Sequence, residues 1–176
     1  MEFFDLIEKR HSVRMYLDEP VPDDMLMKIV EAARQAPSAG NLQPYGLFII
    51  KDSETKGELV KAAFGQGFIA RAPVVLIFVQ DAFRSESRYG FRGSAMYVYQ
   101  DTAISAAMAH LAAVDLGLGS CWVGAFDSSS VARILNLRVG LVPTVILPIG
   151  YPAEESEKTS RREMKDFACE YKICVK

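Results

Sequence analysis

Two arginines and a serine occupy every second position in the stretch KRHSVRMYL, close to the beginning of the chain. They are Arg10, Ser12 and Arg14, and apolar residues alternate with them from Val13 onward, as in an extended segment. A guanidinium binds phosphate through two parallel hydrogen bonds, and a serine hydroxyl can satisfy a further oxygen. The pattern therefore fits a phosphate site, although solvated surface arginines would give the same spacing.

A second basic pair lies near the other end of the sequence. Arg161 and Arg162 follow Ser160 within a charged tail that begins at residue 153. This pair could supply the other half of an anion site formed with Arg10 and Arg14. Solvated charges on the protein surface are the alternative, and the residue types alone do not separate the two.

Residues 65–70, GQGFIA, match the letters of the dinucleotide fingerprint G-x-G-x-x-G/A. That fingerprint requires a strand before the glycines and a helix after them, because the phosphates bind at the helix amino terminus. Here the strand-like run VVLIFV comes after the glycines. We therefore reject a Rossmann site and interpret the stretch as a glycine-rich turn, which could still present Gln66 to a ligand.

The sequence lacks other motifs for catalysis or metal binding. There is no Walker P-loop, and GLGSCWVG does not have the flanks of a nucleophile elbow. We interpret Cys121 as a small core residue and His110 as an interior histidine of an apolar helix. The chain has no C-x-x-C, and its two histidines, His11 and His110, are far apart, so no zinc site is predicted.

The composition is that of an ordinary globular protein. Half of the residues are apolar and 24% are charged, with 20 basic and 22 acidic residues and a formal net charge of −2. This balance argues against a nucleic-acid binder, which would carry a basic excess. A length of 176 residues, without a repeat or an obvious linker, predicts one domain over residues 1–176.

No targeting or membrane segment is evident. The amino terminus is acidic and amphipathic, unlike a secretory signal, so we expect a cytoplasmic protein. The apolar stretch 103–118 is interrupted by Ser105, His110 and Asp115, and it is shorter than the roughly 20 residues that a membrane span requires. We therefore expect a helix that is buried on nearly all sides, and no membrane association.

The elements that must position these residues alternate irregularly between helices and strands. Helical spacing is present in MEFFDLIE, MLMKIVEAARQ and residues 53–63, and a short helix is predicted near residues 128–136. LFIIK, VVLIFV and PTVILPIGYP are predicted strands, whereas APSAGNLQPYG has the composition of a loop. Residues 81–94 are polar and contain glycine, which predicts a mobile loop or lid. The whole pattern predicts an α+β fold built in layers.

Several of these stretches, taken in order, resemble the FMN-dependent nitroreductase family. The stretches are R-x-S-x-R at 10–14, PV at 20–21, APSAGNLQPY at 36–45, LGLGSCWVGAF at 116–126, ILPIGYP at 146–152 and SRR at 160–162. The likeness covers nearly the whole chain and is specific for the family, but not for a substrate. It implies a layered α-β-α sandwich that works as an intertwined homodimer, with two FMN sites at the subunit interface. The helix from residue 100 to 117 would be the central interface helix.

The resemblance also implies a role for each candidate of the phosphate site. Arg10, Ser12 and Arg14 would contact the FMN phosphate and ribityl chain, and the pair at residues 161–162 would close the phosphate site through Arg161 or Arg162. His11 is a further cofactor-binding candidate, although many members of the family carry another arginine there. The alternation turns His11 away from its neighbours, so it either leaves the phosphate alone or departs from strand geometry.

Around the isoalloxazine ring the resemblance assigns a second set of residues. Ser38 and Asn41 would approach the ring, in this family commonly from the other subunit. Gln66 would face the pyrimidine edge, and Val123 and Gly124 would offer backbone groups near the ring.

The implied activity is a flavin-dependent oxidoreduction. Hydride would pass from NADH or NADPH to flavin N5, and the electrons would then pass to a small acceptor such as a nitroaromatic compound or a quinone. The absence of catalytic triads is consistent with this, because the flavin supplies the chemistry. A dehalogenase or flavin-fragmenting enzyme of the same fold, or a non-enzymatic flavin-binding protein, are the alternatives. The chain is short for the family, so its acceptor is not inferred from larger members.

Overall fold

The computed structural model describes residues 2–154 and 159–170 of the chain. Its strands are β1 (Tyr45–Ile50), β2 (Val74–Asp81), β3 (Gly119–Ser120) and β4 (Leu141–Gly150). They form one sheet with the spatial order β1-β2-β4-β3, in which all neighbouring strands are antiparallel. GQGFIA precedes β2 and is not part of a parallel strand–helix–strand unit, so the rejection of a Rossmann site is confirmed.

The helices cover the two faces of this sheet. They are α1 (Phe3–Lys9), α2 (Asp23–Arg34), α3 (Ser53–Ala62), α4 (Phe68–Arg71), α5 (Ala82–Arg92), α6 (Val98–Asp115), α7 (Ser128–Ile134) and α8 (Met164–Phe167). A single 3-10 turn, Ala39–Asn41, precedes β1, and a π-helical turn, Gly93–Tyr97, joins α5 to α6. The helices predicted over residues 53–63 and near residues 128–136 are confirmed within two residues.

Alternate residues of the central strand β2 enter two separate cores. Leu76 and Phe78 pack with buried residues of α2 and α6, whereas Val75 and Ile77 pack with those of α3, α4 and α7. Because both faces of the strand are covered, VVLIFV has no polar alternation. Helices on both sides of one sheet form three layers, which confirms the predicted α-β-α sandwich.

The long helix α6 buries one face in the core, whereas Tyr99 and Ile104 stay exposed, so the predicted burial on nearly all sides is not met within one chain. Ala106, Ala109 and Ala113 have no exposed surface. Its buried hydroxyls find partners, since Ser105 Oγ donates to the carbonyl of Ala33 at the end of α2 (2.9 Å). Among the described residues, no helix combines the length and hydrophobicity that a bilayer crossing requires.

Residues 82–92 form α5 and residues 93–94 begin the π-helical turn, so the prediction of a loop over residues 81–94 is wrong. The Asp81 carboxylate caps α5 by accepting a hydrogen bond from the Arg84 N–H (3.1 Å), and Ser85 is fully buried. The glycines that suggest flexibility have structural roles. Gly90 has φ 57°, where the helix is interrupted, and a Cβ at Gly93 would lie 2.5 Å from the Ser85 carbonyl oxygen.

Candidate functional site

The segment of residues 10–14, called the arginine segment below, runs as an extended chain along the β3 edge of the sheet. Ser12 pairs with Ser120 in a parallel bridge, and the Val13 N–H donates to the Ser120 carbonyl (3.1 Å). Val13 is buried, whereas Ser12 and Arg14 are exposed. The alternation that the sequence predicts is therefore confirmed at these positions.

A glycine in β3 allows the arginine segment to approach the sheet closely. A Cβ at Gly119 would lie 2.6 Å from Cγ2 and 2.8 Å from Cβ of Val13. Contacts that short are repulsive, so a side chain at Gly119 would push Val13 outward. Gly119 thereby sets the separation between β3 and the arginine segment.

A glutamate holds the backbone of the arginine segment at its end. Glu154 Oε1 accepts hydrogen bonds from the N–H groups of Arg14 (2.7 Å) and Met15 (3.2 Å). The Arg14 guanidinium lies 5.8 Å from the ring centroid of Phe68 in α4, a cation–π contact. Within residues 2–154 and 159–170, neither Arg10 nor Arg14 forms an ion pair with a carboxylate. Both guanidinium groups therefore retain donors for an anion.

Both histidines of the chain lie close to Arg10. His110 in α6 is only 5% exposed, and burial followed by the charge of Arg10 lowers its pKa to about 4, while a hydrogen bond with the backbone of His11 opposes the shift. Its ring is therefore neutral at pH 7.

The Nε2 atoms of both histidines and the Oγ of Ser120 are buried without a hydrogen-bond partner in the described part of the chain. Buried polar atoms of this kind call for a ligand or water.

Cys121 lies beside the arginine segment but is not poised for chemistry. It is 1% exposed, and burial raises the pKa of its thiol, whereas the charge of Arg14 and a hydrogen bond with Ser12 oppose that shift. The thiol is therefore protonated at pH 7. Cys121 is a small core residue, as interpreted from the sequence.

The segment after β3 is tied to the glycine-rich turn by Gln66. Gln66 Nε2 donates to the carbonyls of Ala63 (3.0 Å) and Ala125 (2.9 Å). The Val123 N–H and carbonyl both hydrogen-bond with Ile146 of β4 (3.0 Å each). The Val123 N–H is thus already used within the sheet. Gly124, which is exposed, is the member of the pair 123–124 that can bring its backbone close to a ligand.

The loop of residues 38–43, called the 38–43 loop below, is held by several hydrogen bonds. Ser38 Oγ accepts from the Gln43 N–H (2.9 Å), and Gln43 Nε2 donates to Asn41 Oδ1 (3.0 Å). Asn41 is exposed at φ 57°, a left-handed conformation that asparagine tolerates. The Ala39 N–H donates to Oδ1 of Asp101 in α6 (3.0 Å), a carboxyl whose pKa is raised by burial.

The 38–43 loop and the arginine segment lie at diagonally opposite corners of the sheet. The loop precedes β1, whose first residue Tyr45 pairs with Gln80 near the end of β2. The arginine segment flanks β3, which pairs with the part of β4 where Ile149 faces Val74 at the start of β2. Three strand spacings of about 4.8 Å and a strand of eight residues, at about 3.3 Å each, separate the corners. One chain therefore does not bring the two groups to the same point.

Within the described part of the chain, the tail arginines contact near neighbours in the sequence. Arg161 Nη1 donates to Thr159 Oγ1 (2.8 Å) and to the Thr159 carbonyl (3.1 Å). The Arg162 guanidinium lies 5.8 Å from the ring centroid of Phe167. Both residues are exposed, and no contact in the described residues joins them to Arg10 or Arg14.

Two neighbours of the site were not singled out in the sequence. Glu154 is 140 positions from Arg14, and it lies in the charged tail outside the SRR stretch, so no local signal could have found it. Phe68 belongs to the GQGFIA stretch, where the letter pattern draws attention to Gln66 instead.

A cleft of about 560 Å³ lies elsewhere, between α3 and α7. Its charged side chains are of mixed sign, with Glu58 and Asp127 opposite in charge to Lys61 and Arg133. None of the candidate cofactor residues lines it, and its polar, open character is unlike that of a flavin pocket, which is largely apolar. We therefore place the candidate site at the arginine segment and not in this cleft.

Comparison with known proteins identifies the class to which this fold and site belong. A model of the nitroreductase family matches residues 7–67 and 61–151. An NADH dehydrogenase of Thermus thermophilus is 31% identical, over 87% of this chain and 88% of the relative. An FMN reductase (NAD(P)H) of Bacillus subtilis is 32% identical, over 91% of this chain and 70% of the relative. The structure of B. megaterium NfrA2 matches with a TM-score of 0.89 and 28% identity, covering 96% of this chain and 73% of that one.

The chain belongs to the nitroreductase family. The family, the fold and the class of enzyme predicted from the sequence, an NAD(P)H-dependent oxidoreductase with FMN, are confirmed by these matches. The acceptor, the subunit arrangement and the roles of individual residues stay predictions.

Proposed function

We propose that this protein takes hydride from NADH or NADPH onto a bound FMN and passes the electrons to a small acceptor such as a nitroaromatic compound or a quinone. The observation that carries this proposal is the arginine segment. Its two guanidinium groups have no carboxylate partner in the described residues, and buried polar atoms without partners surround it.

These residues fit the phosphate of FMN. A phosphate monoester carries about −1.5 to −2 charges at pH 7 and presents three strong acceptor oxygens. Arg10 and Arg14 would neutralise that charge, and the Ser12 hydroxyl would donate a further hydrogen bond. His11 Nδ1 donates to the Lys9 carbonyl (2.9 Å), so Nε2 of the neutral ring could accept from a ribityl hydroxyl, and the unpartnered Ser120 Oγ could donate to a phosphate or ribityl oxygen.

We assign the third cation of the phosphate site to the tail. The contacts of Arg161 and Arg162 are local and solvent-exposed, so they cost little to exchange for a phosphate. One of the two side chains would then close the phosphate site from the far end of the sequence.

We infer that a second copy of the chain completes the flavin site. Ser38 and Asn41 lie at the corner of the sheet opposite the arginine segment, so one flavin can contact both groups only if two chains contribute. Apolar side chains suited to an interface are exposed on α1, on the π-helical turn and on α6. They are Phe3, Phe4, Ile7, Met96, Tyr99 and Ile104.

The chain would bind and orient the cofactor while FMN, when bound, supplies the hydride chemistry. Gln66 keeps Oε1 for the pyrimidine edge of the ring, since its Nε2 is used on two carbonyls. Gly124 offers its backbone at the ring, and the neutral His110 and Cys121 add no charge near the phosphate. No acid or nucleophile is required of the chain.

Anaerobic half-reactions test this function. The protein is loaded with FMN, freed of excess flavin, and mixed with NADH or NADPH without oxygen while the flavin absorbance is followed. We expect bleaching, followed by recovery when a quinone or a nitroaromatic compound is added. A protein that binds no FMN contradicts the proposal. FMN that binds but is not reduced indicates a non-enzymatic flavin-binding protein. Reduced flavin that is reoxidised only by a halogenated aromatic, or that fragments with oxygen, indicates the alternative reactions.

A further inference from the structure

Three exposed arginines of α5, Arg84, Arg88 and Arg92, are called the α5 arginine row below. Arg84 and Arg88 are four residues apart in the regular part of the helix and therefore lie above one another, whereas Arg92 follows the interruption at Gly90. The acidic residue nearest along that face, Asp81, already pairs with Arg138 (2.9 Å) and caps the helix. In the described residues, no ion pair involves a member of this α5 arginine row.

Each member of the row has a neutral partner and keeps further donors. Arg84 Nε donates to the Leu42 carbonyl (2.5 Å), and Arg88 Nη1 approaches the Gly40 carbonyl (3.4 Å). Arg92 Nε donates to the hydroxyl of Tyr97 (2.9 Å). A guanidinium has five N–H donors, so each of the three retains donors for an anion.

Aromatic rings lie beside two members of the row, Arg88 and Arg92. The guanidinium of Arg88 lies 5.6 Å from the ring centroid of Tyr89, and that of Arg92 lies 5.4 Å from the centroid of Tyr97. The two tyrosine rings meet edge to face, with centroids 5.2 Å apart. Arg88 and Arg92 therefore combine positive charge with the aromatic surface of the two tyrosines.

The row adjoins the 38–43 loop, which the proposed function places against the flavin ring. Arg84 and Arg88 contact carbonyls of that loop. A Cβ at Gly40 would lie 2.4 Å from the Tyr89 hydroxyl and 2.9 Å from Arg88 Nη1, so helix and loop are packed together. A ligand bound to the row would therefore extend to the edge of the proposed site of the flavin ring.

We propose that the α5 arginine row binds the 2′-phosphate of NADPH and gives this enzyme a preference for NADPH over NADH. The inference rests on the proposed function, because it assumes that the 38–43 loop faces the flavin. A phosphate monoester dianion matches a row of guanidinium groups without counter-ions better than a neutral ribose hydroxyl does. The guanidinium groups of Arg88 and Arg92, which lie over the two tyrosine rings, would also offer planar surfaces for the adenine to stack on.

Binding of nucleotide fragments tests this site separately from catalysis. The FMN-loaded protein is titrated by calorimetry with 2′,5′-ADP and with 5′-AMP, which differ by the 2′-phosphate. We expect 2′,5′-ADP to bind more tightly by roughly tenfold or more, and the difference to vanish in the variant R88Q/R92Q. In steady state, the ratio of KM for NADPH to KM for NADH should rise by a similar factor. R133Q, an exposed arginine on α7, is the matched control.

The single variant R92Q guards against an indirect effect through the 38–43 loop, because Arg92 contacts Tyr97 and not the loop. It should lose part of the 2′,5′-ADP affinity with unchanged flavin absorbance. Equal binding of the two fragments by the wild type overturns the proposal. So does a rise in KM confined to an anionic acceptor, which would assign the row to that substrate. Failure of the proposed function is recognised separately, by the absence of bound or reducible flavin.

Discussion

Arg14 is available to an anion because the carboxylate next to it is used on the backbone. Glu154 Oε1 accepts two backbone N–H groups instead of pairing with the guanidinium. An ion pair between the two side chains would compete with a phosphate for the same donors. The proposed anion site at the arginine segment therefore depends on where one glutamate places its oxygen as much as on the arginines themselves.

Arg14→Gln should weaken FMN binding by roughly 10-fold to 100-fold, because a hydrogen bond to a charged group is lost. Titration of FMN fluorescence with the flavin-free protein measures this. Riboflavin, which lacks the phosphate, should bind the wild type and the variant equally, and R133Q should bind FMN as the wild type does. An R14Q variant that loses riboflavin and FMN affinity alike would show that Arg14 does not act through the phosphate.

His110 should make the flavin-free protein less stable in acid. Its pKa is about 4 in the folded chain, against roughly 6.5 when unfolded, so the unfolded state binds the proton more readily. The stability it contributes is complete above pH 6.5 and is lost as the pH falls toward 4, by up to about 3 kcal/mol. Urea unfolding of the wild type and H110Q between about pH 6.5 and about pH 4 measures this loss of stability. The variant should have the flatter pH dependence, and parallel curves would contradict the effect of burial.

At the scale of elements, the position of the arginine segment depends on β3. Gly119→Ala should destabilise the protein by about 1–3 kcal/mol, because its Cβ would meet the Val13 side chain. It should also weaken FMN binding, because Arg14 moves with Val13.

Gly57→Ala is the matched control, since nothing lies within 4 Å of a Cβ there and the residue is inside α3. Chemical denaturation should show that change to be neutral or stabilising by up to about 1 kcal/mol. Equal stability of G119A and the wild type would contradict the close approach.

The elements that the sequence predicts well are those whose pattern comes from burial alone. VVLIFV and ILPIGYP are continuous apolar runs because β2 and β4 are covered on both faces. The alternation around Val13 is equally local. α5 was missed because Gly90 and Gly93 suggest a loop, whereas its cap at Asp81 and its buried Ser85 become evident only when the helix is packed against the sheet.

At the scale of the whole molecule, the candidate site is divided between distant places. The types of Ser38, Asn41, Arg10 and Arg14 are evident in the sequence, and the family resemblance gives them roles. No local pattern gives the separation between the two groups, because that depends on the strand order β1-β2-β4-β3. The order places them at opposite corners, and the proposal that a second chain contributes to each site follows from that separation.

The central claim, that two chains contribute to each flavin site, is tested directly by combining two defective chains in one dimer. Chains carrying Arg14→Gln and Asn41→Asp are produced together with different affinity tags, and the mixed dimer is isolated through both tags. Asn41→Asp keeps the shape and the left-handed backbone of the residue but removes its amide donor. Each variant alone should bind FMN weakly at both sites.

If two chains build each site, the mixed dimer has one site with both defects and one site with none. It should therefore hold one tightly bound FMN per dimer after gel filtration, while dimers of either variant alone hold none. If a single chain built its own site, every site in the mixed dimer would carry one defect, and no tightly bound FMN would remain. That result, or the failure of the chains to associate at all, would contradict the account.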